Sequence, residues 1–205
     1  MLALEVWAFA RANLPPAPAR VLEVGAGDGE LARALTAAGY DMLAIDPEPS
    51  GDNVTAVALH DLDEPAAAFD AAIGVVSLHH VEPLEESCVR LADVIRPGGM
   101  LLVDEFDVAA FDDRAAGWLV EQWRALGQTE KRPSAEMVEE LSAHLHPVDA
   151  IVEALRPAFD VGLPVRSSYL YRWDLPESLR AAEEALIAQG VLPAVGARVI
   201  ARRRA

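Results

Sequence analysis

Thiols and amines are almost missing from this sequence. Its 205 residues include one cysteine, Cys88, and one lysine, Lys131. A single cysteine excludes an internal disulfide and any zinc site built on several thiolates, and it fits a reducing, cytoplasmic setting. Positive charge is also scarce, with 17 Lys and Arg against 33 Asp and Glu and a formal net charge of −16. Binding to nucleic acid rests on clustered cations that displace counterions from phosphates, so no nucleic-acid partner is expected. The one local basic run, Arg202 to Arg204, sits at the extreme terminus and reads as a solvated tail. No apolar run approaches the length of a membrane span, and no membrane partner is expected. Ala17-Pro18-Ala19 imitates a cleavage site, but Glu5 and Arg11 interrupt the apolar stretch before it and no basic start precedes that stretch, so a signal peptide is not expected.

What the chain has in abundance is apolar surface. Hydrophobic residues make up 52%, ample for one core, and the length fits one domain with an appendage better than two domains. The organising stretch is Val21 to Leu35, VLEVGAGDGELARAL. Val21, Leu22 and Val24 suit a strand buried on both faces, and Gly25, Gly27 and Gly29 suit a turn that bends sharply and passes close to a ligand. Leu31, Leu35 and Ala38 then recur at helical spacing. A strand, turn and helix in this order aim free backbone N–H groups and the positive end of a helix at whatever sits above the strand.

A glycine-rich turn is shared with dinucleotide binders, whose fingerprint is G-x-G-x-x-G; here the place of the third glycine is held by Glu30. The G-x-G-x-G spacing, with Glu23 just before it, instead resembles the first motif of class I S-adenosylmethionine-dependent methyltransferases. The resemblance covers nearly the whole chain, strongly for residues 20–106 and loosely afterwards. It implies a Rossmann-like α/β fold with a seven-stranded, mostly parallel sheet of order 3-2-1-4-5-7-6, the last strand antiparallel.

Residues 2–12 place Leu2, Val6, Phe9 and Ala10 near one side of a helix that Pro15, Pro16 and Pro18 end. Asp41 to Ile45 reads as a second strand closing on Asp46-Pro47, where a carboxylate about 20 residues beyond the glycines can accept hydrogen bonds from both ribose hydroxyls. Val54 to Leu59 is a third strand, reached so quickly that the helix before it can only be a stub. It ends in His60, Asp61 and Leu62. The resemblance makes Asp61 the acid that meets an adenine amino group and Leu62 the donor of a backbone N–H to the ring; the alternative for Asp61 is a solvated acid. A fourth strand, opened by Phe69-Asp70, breaks at Ser77-Leu78-His79-His80-Val81. Ser77 and Leu78 then fall beside the cofactor, and one of the two histidines can face the cleft.

Leu84, Cys88, Leu91 and Ile95 form a helical stripe, which makes Cys88 a core thiol. Arg96-Pro97-Gly98-Gly99 then turns into a fifth strand, Met100 to Val103, ending in Asp104, Glu105, Phe106 and Asp107. Residues 108–157 read as helices, Asp112 to Leu126, Ser134 to Leu145 and Val148 to Leu155, separated by Gly127, Pro133 and Pro147. In the family such an insert covers the substrate, and Trp118, Trp123, His144 and His146 lie in it. Ser167 to Trp173 alternates as an edge strand would, a helix spans Pro176 to Gln189, and Val195 to Arg202 is the final strand.

The expectation is one domain, residues 1–205, with residues 108–157 as its substrate-covering insert, acting as a monomer or homodimer. The resemblance implies methyl transfer from S-adenosylmethionine to an oxygen, nitrogen or carbon of a small molecule. Glu23, Gly25, Gly27, Gly29, Asp46, Pro47, Asp61, Leu62, Ser77 and Leu78 are the cofactor candidates. His79, His80 and Glu105 are the candidates for a base, and no metal is expected. The alternatives are a protein of this fold that uses the cofactor as template for a non-methylating reaction, or a binding or regulatory protein.

Overall fold

A computed structural model of the chain describes residues 4–128 and 134–205. Leu2, Lys131 and Pro133 lie outside the described residues. Five parallel strands form the body of the sheet: β1 (Arg20–Val24), β2 (Asp41–Asp46), β3 (Thr55–Ala56), β4 (Phe69–Val75) and β5 (Ile95–Phe106). Three more complete it, β6 (Phe159–Val161), β7 (Val165–Ser167) and β8 (Gly196–Arg203), with β8 antiparallel to β5. The order is β3-β2-β1-β4-β5-β8-β6, with β7 also paired to β8. β6 meets one end of β8 and β7 the other, so the two occupy one edge position interrupted at residues 162–164. The sheet therefore has the expected 3-2-1-4-5-7-6 arrangement, its last strand antiparallel.

Alternation along the central strands feeds two layers. Val21, Ala71, Ile73 and Leu102 face α1 (Leu4–Asn13) and α2 (Glu30–Ala37). Leu22, Val24, Ala72, Leu101 and Val103 face α3 (Leu84–Val94) and α6 (Val148–Leu155). Both faces are apolar because parallel strands are covered on both sides. Cys88 lies in the second layer, where burial pushes its thiol up to about 12 and leaves it inert. A third cluster sits beyond the carboxyl ends of the strands, where α4 (Asp113–Ala125) and α5 (Ser134–His144) pack on Phe106, Phe111 and Tyr169. Of the helical insert, α4 and α5 thus form that cluster, whereas α6 flanks the sheet. The chain leaves β1 toward β2 and returns through β4 on its other side, and this reversal of direction opens a crevice above β1 and β4.

Four local expectations change. The third strand shortens to Thr55–Ala56, because a 3-10 turn at Leu59–Asp61 takes the following residues. No helical stub precedes it; the residues after Asp46 form bends and turns. Strand β5 begins at Ile95 and absorbs the Arg-Pro-Gly-Gly segment, with its register slipping between the Phe69 and Ala71 pairings. Ser167 to Trp173 is not a strand, since Leu170–Arg172 is a 3-10 turn and the edge strand lies upstream.

The reason for that last change is Glu183, fully buried on α7 (Arg180–Ala188). Its carboxylate accepts the N–H groups of Tyr169 at 2.7 Å, Leu170 at 3.0 Å and Tyr171 at 2.9 Å. Successive N–H groups of a strand point to opposite sides, so three in a row converge on one carboxylate only if the backbone curls. Replacing Glu183 with Ala strands three buried donors, and we expect a loss on the order of 3–5 kcal/mol. Urea denaturation checks this; a loss below about 1 kcal/mol would mean that the turn holds itself.

Candidate functional site

The glycine turn closes β1 as expected. Gly25, Gly27 and Gly29 have φ of 68°, 54° and 72°, all in the left-handed region that side chains avoid. The first two are needed for different reasons. A Cβ on Gly25 would collide with the Cβ of Ser77, whereas the space beside Gly27 is open for 4 Å. Asp46, at the end of β2, holds the turn: Oδ2 accepts the Gly27 N–H and Oδ1 that of Glu48, both at 2.9 Å.

Two clefts meet on this turn. One, about 530 Å³, is lined by Gly25, Asp46, Pro47, Ser77 and His80. The other, about 570 Å³, is lined by Glu23, Gly25, Asp28 and, from the far side, Tyr171 and Arg172. Gly25 and Val76 line both. Val76 is β-branched yet has φ of 52°, a strained conformation of the kind that collects at working sites. Its N–H still reaches the Asp104 carbonyl at 2.8 Å, so β4 and β5 hold it there.

Each cleft contains a buried polar atom without a partner among the described residues, Ser77 Oγ in the first and Glu23 Oε2 in the second. Glu23 is 4% exposed. Burial is the main reason its carboxyl is pushed up to about 8; the Ala32 N–H opposes the shift and Asp28 adds to it.

The histidine turn hangs on Glu105, which is fully buried. Its Oε1 accepts the N–H of Ser77 at 2.9 Å and of Leu78 at 2.6 Å, and its Oε2 pairs closely with His79 Nδ1. That engagement corrects Glu105's candidacy as a base: its oxygens are spent within the protein and face no cleft. His79 is buried with its ring edge against Phe106. His80 is exposed and lines the first cleft. Partial desolvation of its ring against the cleft wall, and then the neighbouring His79, lower its pKa below the ordinary 6.5, with Glu105 opposing.

Asp61 and Leu62 are not brought into the cleft wall, although Ala58 and Leu59 just before them are. The Asp61 side chain is 70% exposed and its Oδ2 lies 3.4 Å from His60 Nε2. The Leu62 N–H is directed to the Leu59 carbonyl at 3.3 Å, and its side chain is in the core. Leu78 is likewise a core side chain. Among the described residues, no group of three or more His, Cys, Asp or Glu side chains is placed to hold a metal ion.

Sequence reasoning missed Val76, Arg172 and Asp174. Arg172 stands in a run of aromatics, Tyr-Leu-Tyr-Arg-Trp, which is the one available signal; its role depends on Glu5 and Asp104, both distant in the chain.

The sequence profile of a family described as a methyltransferase domain matches residues 4–147. An uncharacterised methyltransferase of Mycobacterium tuberculosis is 31% identical over 125 residues, covering 56% of this chain and 49% of that protein. The chain thus spans about half the length of that relative. A second one from the same organism is 28% identical over 173 residues, 76% of this chain and 87% of the relative. Among solved structures, an S-adenosylmethionine dependent methyltransferase from Mesorhizobium loti superimposes with a TM-score of 0.62 over 96% of this chain and 97% of that one, at 20% identity. That likeness is one of fold.

The environment of Glu23 yields a pH dependence. Its folded pKa, about 8, lies above the ordinary 4.5. Its contribution to stability is therefore fully present below about 4.5, is lost as pH rises toward 8, and is level above that. Chemical denaturation of the wild type and of Glu23→Gln from pH 6 to 9 should show the variant gaining on the wild type up to roughly pH 8. A difference that does not change with pH would show that Glu23 ionises normally.

Proposed function

The chain belongs to the methyltransferase-domain family, and from that premise we propose that it transfers a methyl group from S-adenosylmethionine to a small molecule. The observation that carries this reading is the pair of contiguous clefts sharing Gly25 and Val76 as a common floor. Such a site suits an elongated ligand with two chemically different halves. The open backbone at Gly27 and the unpaired atoms of Ser77 and Glu23 fit the same ligand. A buried carboxyl with a free oxygen favours an amino group, which would restore its ionised form. Asp46 keeps unused lone pairs on both oxygens and is suited to ribose hydroxyls, as its place beyond β2 implied.

When bound, S-adenosylmethionine supplies a methyl group on a sulfonium, a leaving group that needs no acid from the protein. The work left to the chain is alignment, exclusion of water and, for a hydroxyl acceptor, removal of one proton. We assign the cover to the α4–α5 pair, a reading supported by its packing beyond the strand ends. We assign the proton to a ring nitrogen of His80, which lines the cleft, and give His79 the task of orienting the turn through Glu105. A lowered pKa keeps His80 neutral, and so able to accept a proton, at pH 7.

Calorimetry with S-adenosylhomocysteine tests the binding. Asp46→Ala should lose about 1.5–3 kcal/mol of affinity, the scale for hydrogen bonds to a charged group. Unchanged affinity in a folded variant would remove Asp46 from the site.

A second measurement tests the base, once an acceptor has been found by the release of S-adenosylhomocysteine. His80→Ala should lower turnover by about 10²–10⁴. In the wild type the rate should fall on the acidic side, with a midpoint below the ordinary 6.5, and that limb should vanish in the variant. An unchanged acidic limb would show that His80 takes no proton.

A further inference from the structure

A third cleft, about 290 Å³, adjoins the second at Arg172 and Asp174, which line both. Its other walls are Trp123 of α4, Met137 and Leu141 of α5, and Trp173. Its size is at the small end for ligand pockets, which run from roughly 300 to 1,000 Å³. The walls are rigid. The Trp123 Nε1–H donates to the Trp173 carbonyl at 2.9 Å, and the Trp173 ring packs 4.9 Å from Phe106 and 5.4 Å from Phe111.

The charges on these walls are unequal in availability. Arg172 donates to Asp104 at 2.8 Å and to Glu5 at 2.9 Å, and it lies 5.2 Å over the Tyr169 ring. Two carboxylates already answer its one positive charge. Asp174 differs. Its carbonyl accepts from Gln128 Nε2 at 3.3 Å, but no described residue donates to its carboxylate, which is exposed at the rim. Its φ is 52°, so the backbone is held in the left-handed region by the neighbouring turn. A carboxylate without a partner among the described residues, beside two indoles, is an arrangement suited to a cation: aromatic rings attract positive charge and the acid supplies the counter-charge.

We propose that this third cleft is the part of the acceptor site that holds a protonated amine beside an aromatic group, away from the reacting atom at His80, with Asp174 as the residue that selects for the positive charge. The proposal deepens the methyltransferase reading and rests on it. An anionic acceptor is disfavoured twice, by Asp174 locally and by a formal charge of −16 on the chain.

Three molecules of nearly equal size isolate the charge: 2-phenylethylamine, 2-phenylethanol and phenylacetate. Their binding to the full chain is read by quenching of tryptophan fluorescence, with and without saturating S-adenosylhomocysteine. The amine should bind about tenfold more tightly than the alcohol, the range expected for cation–π and ion-pair contact at a partly exposed site, and phenylacetate should bind weakest. Asp174→Asn removes the charge while keeping a residue that tolerates a left-handed φ, so the fold should persist and the preference should fall to about two- to fivefold, the share the indoles supply alone. Equal binding of amine and alcohol by the wild type, absence of binding by all three, or an unchanged preference in Asp174→Asn would overturn the proposal. Calorimetry with S-adenosylhomocysteine on the same wild-type protein separates the two failures. Loss of the amine preference with the nucleoside still bound sinks the acceptor subsite alone. An intact preference without nucleoside binding sinks the methyltransferase reading and, with it, the cleft's role as an acceptor subsite.

Discussion

Buried carboxylates that accept backbone N–H groups hold the working edge of this molecule together. Loops at the ends of parallel strands leave donors that no ladder satisfies, and a buried donor without a partner costs about 1–3 kcal/mol. Four acids meet that need here, three of them buried and Asp46 half-buried. Asp46 takes the N–H of Gly27 and Glu48, and Glu105 those of Ser77 and Leu78. Asp107 takes Ala109 and Val148, and Glu183 takes Tyr169, Leu170 and Tyr171. The excess of acids is therefore in part structural, since several sit inside and shape the loops around the clefts.

The turns so held are not relaxed. Val76 keeps its place in the ladder through Asp104 while adopting a φ that β-branched residues avoid, and the chain then brings Ser77 into the space that Gly25 leaves empty. The glycine and the strain are two sides of one packing arrangement, since a side chain on Gly25 would collide with Ser77, which directly follows Val76. Asp174 repeats the pattern at the next junction, where the turn pinned by Glu183 carries a second left-handed residue to the rim. Strain of about 1–3 kcal/mol per residue persists only where the surroundings fix it, and the buried acids supply that constraint.

What could be read from the sequence follows the distance between cause and effect. The glycine turn, Asp46 and the strand order were legible because each depends on neighbours in the chain or on a pattern repeated along one element. The helices of the insert were legible nearly to the residue, from Asp113–Ala125 to Val148–Leu155. The 3-10 turn at Leu170–Arg172 was not, because its cause is a carboxylate twelve to fourteen residues later on another element. Glu105 was noticed as an acid at a strand end, but its partners lie on a different strand's exit, so proximity to the cleft was mistaken for access to it. Asp61 was placed by analogy of position, and the short third strand turns its side chain outward.

The distribution of the arginines completes the electrostatic picture. Arg172 bridges Glu5 of α1 and Asp104 of β5, and Arg198 of β8 joins Asp104 at 2.6 Å. This half-buried network ties the first helix to the antiparallel pair of β5 and β8. A planar guanidinium serves two carboxylates at once where an ammonium would serve them poorly, a geometry consistent with 16 arginines and a single lysine. Burial of such a network adds little net stability, but it fixes which groups face one another. Because the arginine that lines the clefts is neutralised from behind, the charge left at the junction of the second and third comes from Asp174, while Glu23 above the second stays protonated until about pH 8. The linked clefts thus meet at an exposed acid set beside two indoles, those of Trp123 and Trp173. Such a passage discriminates by the sign of the ligand's charge before shape comes into play.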